Sequence, residues 1–207
     1  MKKILLIATA ITMTLICCKK IEAPILTNTN LTIDFTQTIN GANLILGSGC
    51  LDGGECLPEY SCCAGTLPYT NNEGQVYNIK RLWYIISDIT LHSEDGTNHV
   101  VEEVHFIDVN DPTTLSLMIS NLEDNNYTSI SYTMGLNAAR NTSNMYVNED
   151  FHNNMIWPEI GMNGVDLGGG YHYMKLEGNF KNDSTLYNTH TGGTMGNDYS
   201  FNHNDII

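Results

Sequence analysis

Basic residues are scarce: nine Lys and Arg stand against 23 Asp and Glu in 207 residues. A surface of that sign repels nucleic acid and anionic lipid headgroups. It leaves a cation, a neutral glycan or a basic protein as partner, and acidity alone also keeps a chain soluble. Helical periodicity is scarce as well, which argues against a bundle. A long apolar run is missing, because the amino-terminal segment falls short of the ~20 residues that a spanning helix needs. The usual frames for phosphate and acyl-transfer chemistry are also absent. "GSG" at Gly47–Gly49 lacks the Gly-X-Ser-X-Gly elbow, and "LGGGYHY" runs into a strand pattern instead of a helix. "DVNDP" lacks the loop with closing glutamate that a calcium hand requires. The many carboxylates are not paired by anything in the sequence for acid/base work.

What is present begins with "MKKILLIATAITMTLICC". Two lysines, a short apolar stretch and terminal cysteines read as a secretory signal over residues 1–17, with Cys18 as the lipid-bearing first residue of the mature chain. This predicts a lipid-anchored protein of the cell envelope. Removing residues 1–17 takes away two basic residues and no acidic one, leaving a net charge of −16. Residues 18–30 read as a tether and residues 31–207 as one domain. Four cysteines remain, Cys50, Cys56, Cys62 and Cys63, crowded into "GCLDGGECLPEYSCCAG". In an oxidising compartment they read as two disulfides with three connectivities open, the adjacent pair being disfavoured by geometry. The spacing does not match a zinc knuckle.

Short alternating or apolar runs bounded by Asn, Gly and Asp recur along the chain, which predicts an all-β fold, an antiparallel β-sandwich-like single domain with long loops. "LTIDFTQTI" alternates, and Asn40-Gly41 signals a hairpin turn. "EGQVYNIKRLWYIISDITLHS" supplies one long strand or two broken by a bulge. "HVVEEVHFIDV" and "YTSISYTMGLN" read as further strands, while Asp111-Pro112 in "DPTTLSLMISNL" predicts the one short helix. Strict alternation in "GYHYMKLEGNF" places Tyr171, Tyr173, Lys175 and Glu177 on one face, with His172, Met174, Leu176 and Gly178 on the other. "DYSFNHNDII" ends the sequence in what reads as a strand, so closing strands are expected beyond residue 207.

The ordered set "IDFTQTINGANLIL", "EGQVYNIKRLWYIISDITL", "YTSISYTMGLN", "MIW", "GYHYMKLEGNF" and "THTGG" resembles the MbnP family of secreted copper-binding proteins, over roughly residues 31 to 203. The resemblance implies a β-sandwich-like domain holding one copper ion through two histidines, beside a tryptophan that can be oxidised to kynurenine. By position in the motifs these are His152 of "HNNMIW", His190 of "THTGG" and Trp157. The sequence departs from the family pattern in the intervening "PEIGMNGVDLGGG", and the family normally continues past the point where this chain stops.

Copper suits this residue set, because imidazole binds it and Cu(I) also accepts thioether sulfur such as that of Met155. Pro158 restricts Trp157 to extended conformations. His172, on a strand beside this region, is a candidate third ligand or an orienting partner. Gly192 and Gly193 read as a turn that exposes His190, His203 in the final alternation is a weaker ligand candidate than His172, and His92, His99 and His105 read as strand-end or surface residues. The leading expectation is copper capture, storage or delivery without turnover. A metal-free module that binds a glycan or protein through Trp83, Tyr84, Tyr171 and Tyr173 is a second reading, and a copper-dependent oxidase with His172 as an added ligand is a third.

Overall fold

The computed structural model describes residues 28–47, 69–101, 103–181, 185–193 and 197–206. The expected signal peptide, the lipidation candidate Cys18 and the four clustered cysteines lie outside these residues. The strands, in chain order, are β1 (Asn28–Asp34), β2 (Thr38–Ile39), β3 (Ala42–Asn43), β4 (Tyr69–Thr70), β5 (Val76–Tyr77), β6 (Arg81–Ser93) and β7 (Asn98–Val100). They continue with β8 (His105–Asp108), β9 (Ser116–Glu123), β10 (Tyr127–Met134), β11 (His172–Phe180), β12 (Thr185–Gly192) and β13 (Phe201–Ile206). The largest sheet has the path β13-β10-β6-β11-β5-β4, with β12 added to β11, and β7 and β8 added to β6. Strands β1 and β9 form a separate antiparallel ribbon. The fold is the expected all-β, antiparallel, sandwich-like one.

The organising element is β6, a single strand of 13 residues. Its first half turns Tyr84 and Ile86 into one core and Ile85 into a second on the opposite face. Continued alternation would carry Ile89 and Leu91 to the side of Ile85, yet both lie with Tyr84 and Ile86. Asp88 explains the switch. It takes φ of 53°, and the pairing with β10 slips between Ser131 and Thr133, so one extra residue of β6 is accommodated there as a bulge. The extra residue shifts the phase of the strand, and both halves then bury apolar side chains against the same ribbon. Leu117, Ile119 and Leu122 of β9 complete this first core.

The segment expected to be a helix is a strand instead. The Asp111 side chain accepts from the Thr113 amide and Pro112 begins one 3-10 turn, Pro112–Thr114, after which the chain extends. Leu117 and Ile119 face in while Ser116, Met118 and Ser120 face out, and that period of two outweighs a helix-start signal. The Asn40-Gly41 turn forms as expected, with φ of 52° and 79°, but it joins only the short β2 and β3. The preceding residues pair with β9 rather than with β3.

The second core holds Ile85, Leu136, Phe151, Met155, Tyr171 and Tyr173. Two phenols have raised pKa values of about 12: the buried Tyr173, through desolvation and then the nearby Asp198, and the half-buried Tyr187, through desolvation. Each favours its neutral form in the folded state, so its stabilisation is intact below pH 10 and is lost as pH rises through about 12. An absorbance titration of the tyrosinates should show a late-ionising group that merges with the rest when the protein is unfolded.

Candidate metal site

The stretch from Phe151 to Gly170 leaves the second core and returns to it. His152–Met155 makes one helical turn whose Met155 is fully buried, so this residue packs in the core. Ile156 then bridges to Tyr171, and the Trp157 amide donates to the Gly170 carbonyl at 2.8 Å. The departure from the family pattern is a small excursion that folds on itself: the Leu167 amide reaches the Glu159 carbonyl, and the Gly161 amide the Val165 carbonyl, each at 2.7 Å. It therefore returns the chain opposite the residue where it left, and the Leu167 carbonyl accepts from Trp157 Nε1 at 3.2 Å. The indole is held at both its backbone and its ring.

Beneath that ring lies Gly192. A Cβ there would stand 2.9 Å from Trp157 Cε3 and 3.2 Å from the Tyr171 carbonyl oxygen. The glycines of "THTGG" thus do not both mark a turn: Gly192 is the last residue of β12 and gives the indole room to approach the strand. Gly192→Val should cost about 1–3 kcal/mol through overpacking. It should also push Trp157 outward, which a red shift of tryptophan emission would report.

His172 is placed by a second bulge. It pairs with Gly192 while Met174 pairs with Thr191, so β11 carries one residue more than β12 at this point. Uninterrupted alternation puts His172 on the face of Met174, away from Glu177. In the structure Met174 does pack against the first core, but His172 turns to the other side. Its ring centre lies 4.8 Å from that of His190 and 4.5 Å from that of Trp157, edge-on to both. His190 Nε2 is 2.7 Å from Glu177 Oε1, and Arg81 donates to Glu177 Oε2 at 2.6 Å. Two imidazoles, one indole and one carboxylate are therefore gathered at neighbouring ends of β11 and β12.

Electrostatics keep the central ring neutral. Burial, then the Lys175 ammonium and His190, lower the His172 pKa to about 3. His172 is 7% exposed, and its Nδ1 is buried with no hydrogen-bond partner. An orphaned polar atom of this kind costs about 1–3 kcal/mol. A neutral imidazole nitrogen is also what a metal ion requires. Lys175 itself has a lowered pKa through burial, and its ammonium donates to the Asn154 carbonyl.

His152 stands elsewhere in this group of contacts. Its Nδ1 is 2.9 Å from the Tyr171 hydroxyl, which also accepts from the Tyr146 amide at 2.9 Å. The described ring contact of His152 is with Tyr171, whereas those of His172 are with Trp157 and His190. Among the expected ligands the structure brings together His172, His190 and Trp157. Among the described residues no group of three or more His, Cys, Asp or Glu side chains is arranged for a metal ion. A closed four-ligand site of the structural-zinc type is thus not formed by them, while a two-histidine site needs no third ligand of that kind.

Three of the four remaining histidines make contacts within the sheet, and His99 pairs there with Leu91 through its backbone. His92 lies between Asn98 and Ser131, His105 donates to the Thr114 carbonyl and stacks on Phe35, and His203 lies against Tyr132. The aromatic surface expected of a glycan- or protein-binding module is not there. Tyr84, Tyr171 and Tyr173 are buried at 8%, 0% and 2% exposure, and Trp83 is covered by Arg81, whose guanidinium lies 4.3 Å above its ring. Glu177, Arg81 and Lys175 were not singled out by motif. A charge in the middle of a strand is the signal that marks Lys175 and Glu177, whereas Arg81 stands at the start of β6.

Together these features define an antiparallel β domain with a histidine and indole cluster at one end of two adjacent strands. The MbnP family model matches residues 28–206, and the chain belongs to that family. No curated protein sequence matches it. Among solved structures it is similar in fold to MbnP from Methylosinus trichosporium, with a TM-score of 0.51 at 8% identity over 81% of this chain. The match covers 63% of that structure's own length.

Proposed function

We propose that this protein takes up one copper ion at His172 and His190, beside Trp157, and that its role is capture, storage or delivery without turnover. The observation that carries this reading is the buried, unpartnered Nδ1 of His172, on a neutral ring packed between a second imidazole and an indole. Ring centres 4.8 Å apart are within reach of one ion, since metal bonds to imidazole nitrogen are about 2 Å long. The family's association with copper supplies the choice of metal, and imidazole ligands suit it. The Lys175 ammonium, which acts on His172, disfavours a divalent ion more than a monovalent one, which supports Cu(I). Tethering at the envelope through Cys18 is part of the same proposal. Copper analysis of the protein purified without added metal, followed by titration with Cu(I), tests it. One equivalent bound, silent in electron paramagnetic resonance, is expected. Failure to take up stoichiometric copper would remove the reading.

A further inference from the structure

Glu177 occupies an unusual position for a glutamate, in the middle of a strand with its side chain only 19% exposed. It faces Arg81 directly across on β6 and Asn188 directly across on β12. His190, two residues beyond Asn188, is its diagonal neighbour, within reach of a long side chain. Both carboxylate oxygens are taken, Oε2 by Arg81 at 2.6 Å and Oε1 by His190 Nε2 at 2.7 Å. Arg81 is in turn fixed by stacking over Trp83. A carboxylate is acceptor-only, so His190 Nε2 must carry the proton, and Nδ1 then keeps the lone pair. With Arg81 43% exposed, the ion pair adds little stability on its own account, and a carboxylate with both oxygens engaged is held away from any ion. The arrangement serves the ring it touches.

We infer that Glu177, clamped by Arg81, is a positioning residue that fixes His190 in the tautomer presenting Nδ1 as the free nitrogen. This rests on the copper reading only for its consequence, since the tautomer is a property of the metal-free protein. Partners of this kind change metal affinity by roughly 10–100-fold when altered.

Glu177→Gln makes the test specific. If Arg81 keeps the amide oxygen, the amide nitrogen faces His190 and donates, so Nε2 becomes the acceptor and Nδ1 takes the proton. In long-range proton–nitrogen spectra of the metal-free, nitrogen-15-labelled protein, His190 should be protonated at Nε2. In Glu177→Gln it should be protonated at Nδ1, with Cu(I) affinity reduced by roughly 10–100-fold. Glu177→Ala should give a mixture of tautomers. A wild-type His190 protonated at Nδ1, or an unchanged tautomer in Glu177→Gln, would overturn the inference. If Glu177→Gln does not fold, the wild-type spectrum alone decides. A tautomer that flips as expected in a protein that takes up no copper would uphold the positioning role while removing the copper reading, so the two failures are distinguishable.

Discussion

Asp88→Pro is expected not to fold cooperatively. Proline fixes φ near −65°, whereas the bulge residue takes φ of 53°, and without the bulge residue 88 counts in the alternation, a one-residue slip that sends every later side chain to the opposite face. Ile89 and Leu91, 1% and 0% exposed, would leave the first core. At about 1.5–3 kcal/mol for each buried aliphatic side chain, the loss is roughly 3–6 kcal/mol, against a total domain stability of about 5–15 kcal/mol. Leu117, Ile119 and Leu122 on β9 would lose their counterparts as well. Deleting Asp88 has the opposite consequence: the strand becomes regular, Ile89 and Leu91 fall in step with Tyr84 and Ile86, and the chain should fold. Asp88→Gly separates the bulge from the side chain. Glycine accepts φ of 53° without strain, and the substitution forfeits only the part-exposed pair with Arg140 and the contact with Asn137. It should cost about 1 kcal/mol or less. Chemical denaturation of the three variants checks the argument, and a proline variant unfolding like the wild type would show that the bulge does not set the phase.

Tyr171→Ala is the second large effect. The ring is fully buried among Phe151, Tyr146 and His152, edge-on to each. Truncating a buried aromatic to alanine costs about 3–5 kcal/mol. The change also strands the Tyr146 amide and His152 Nδ1, both of which use the phenolic oxygen. Tyr171→Phe isolates that second component, because it keeps the ring and removes the oxygen, and should cost about 1–3 kcal/mol. Because Tyr171 adjoins His172 and pairs with Ile156, the alanine variant should also loosen the segment that carries Trp157. Denaturation midpoints, with tryptophan emission as a second probe, would report both losses. Equal stability in the alanine and phenylalanine variants would contradict the packing account.

Much of the fold was legible because alternation is a strong signal. The long apolar run of β6, with a break allowed for, emerged as one bulged strand, and the Asn40-Gly41 turn formed. Two local signals misled. Asp111-Pro112 resembles a helix start, but its side-chain bond is fully used by one 3-10 turn. The glycines after His190 resemble a turn, but Gly192 is there to let an indole approach. The site was legible in its residue types and less so in its geometry. Strict alternation sent His172 away from Glu177, and only the one-residue slip between β11 and β12 turns it toward His190. A slip of that kind depends on how two strands pair, as with His172 opposite Gly192 at positions 20 apart, and one strand's pattern does not contain it.

Copper titration of three alanine variants, at His172, His190 and His152, tests the central claim most directly. The bulge-placed pair predicts that His172→Ala and His190→Ala each lose the single equivalent, while His152→Ala, whose ring rests on Tyr171, retains it. Retention of one equivalent by His172→Ala together with its loss in His152→Ala would contradict the account.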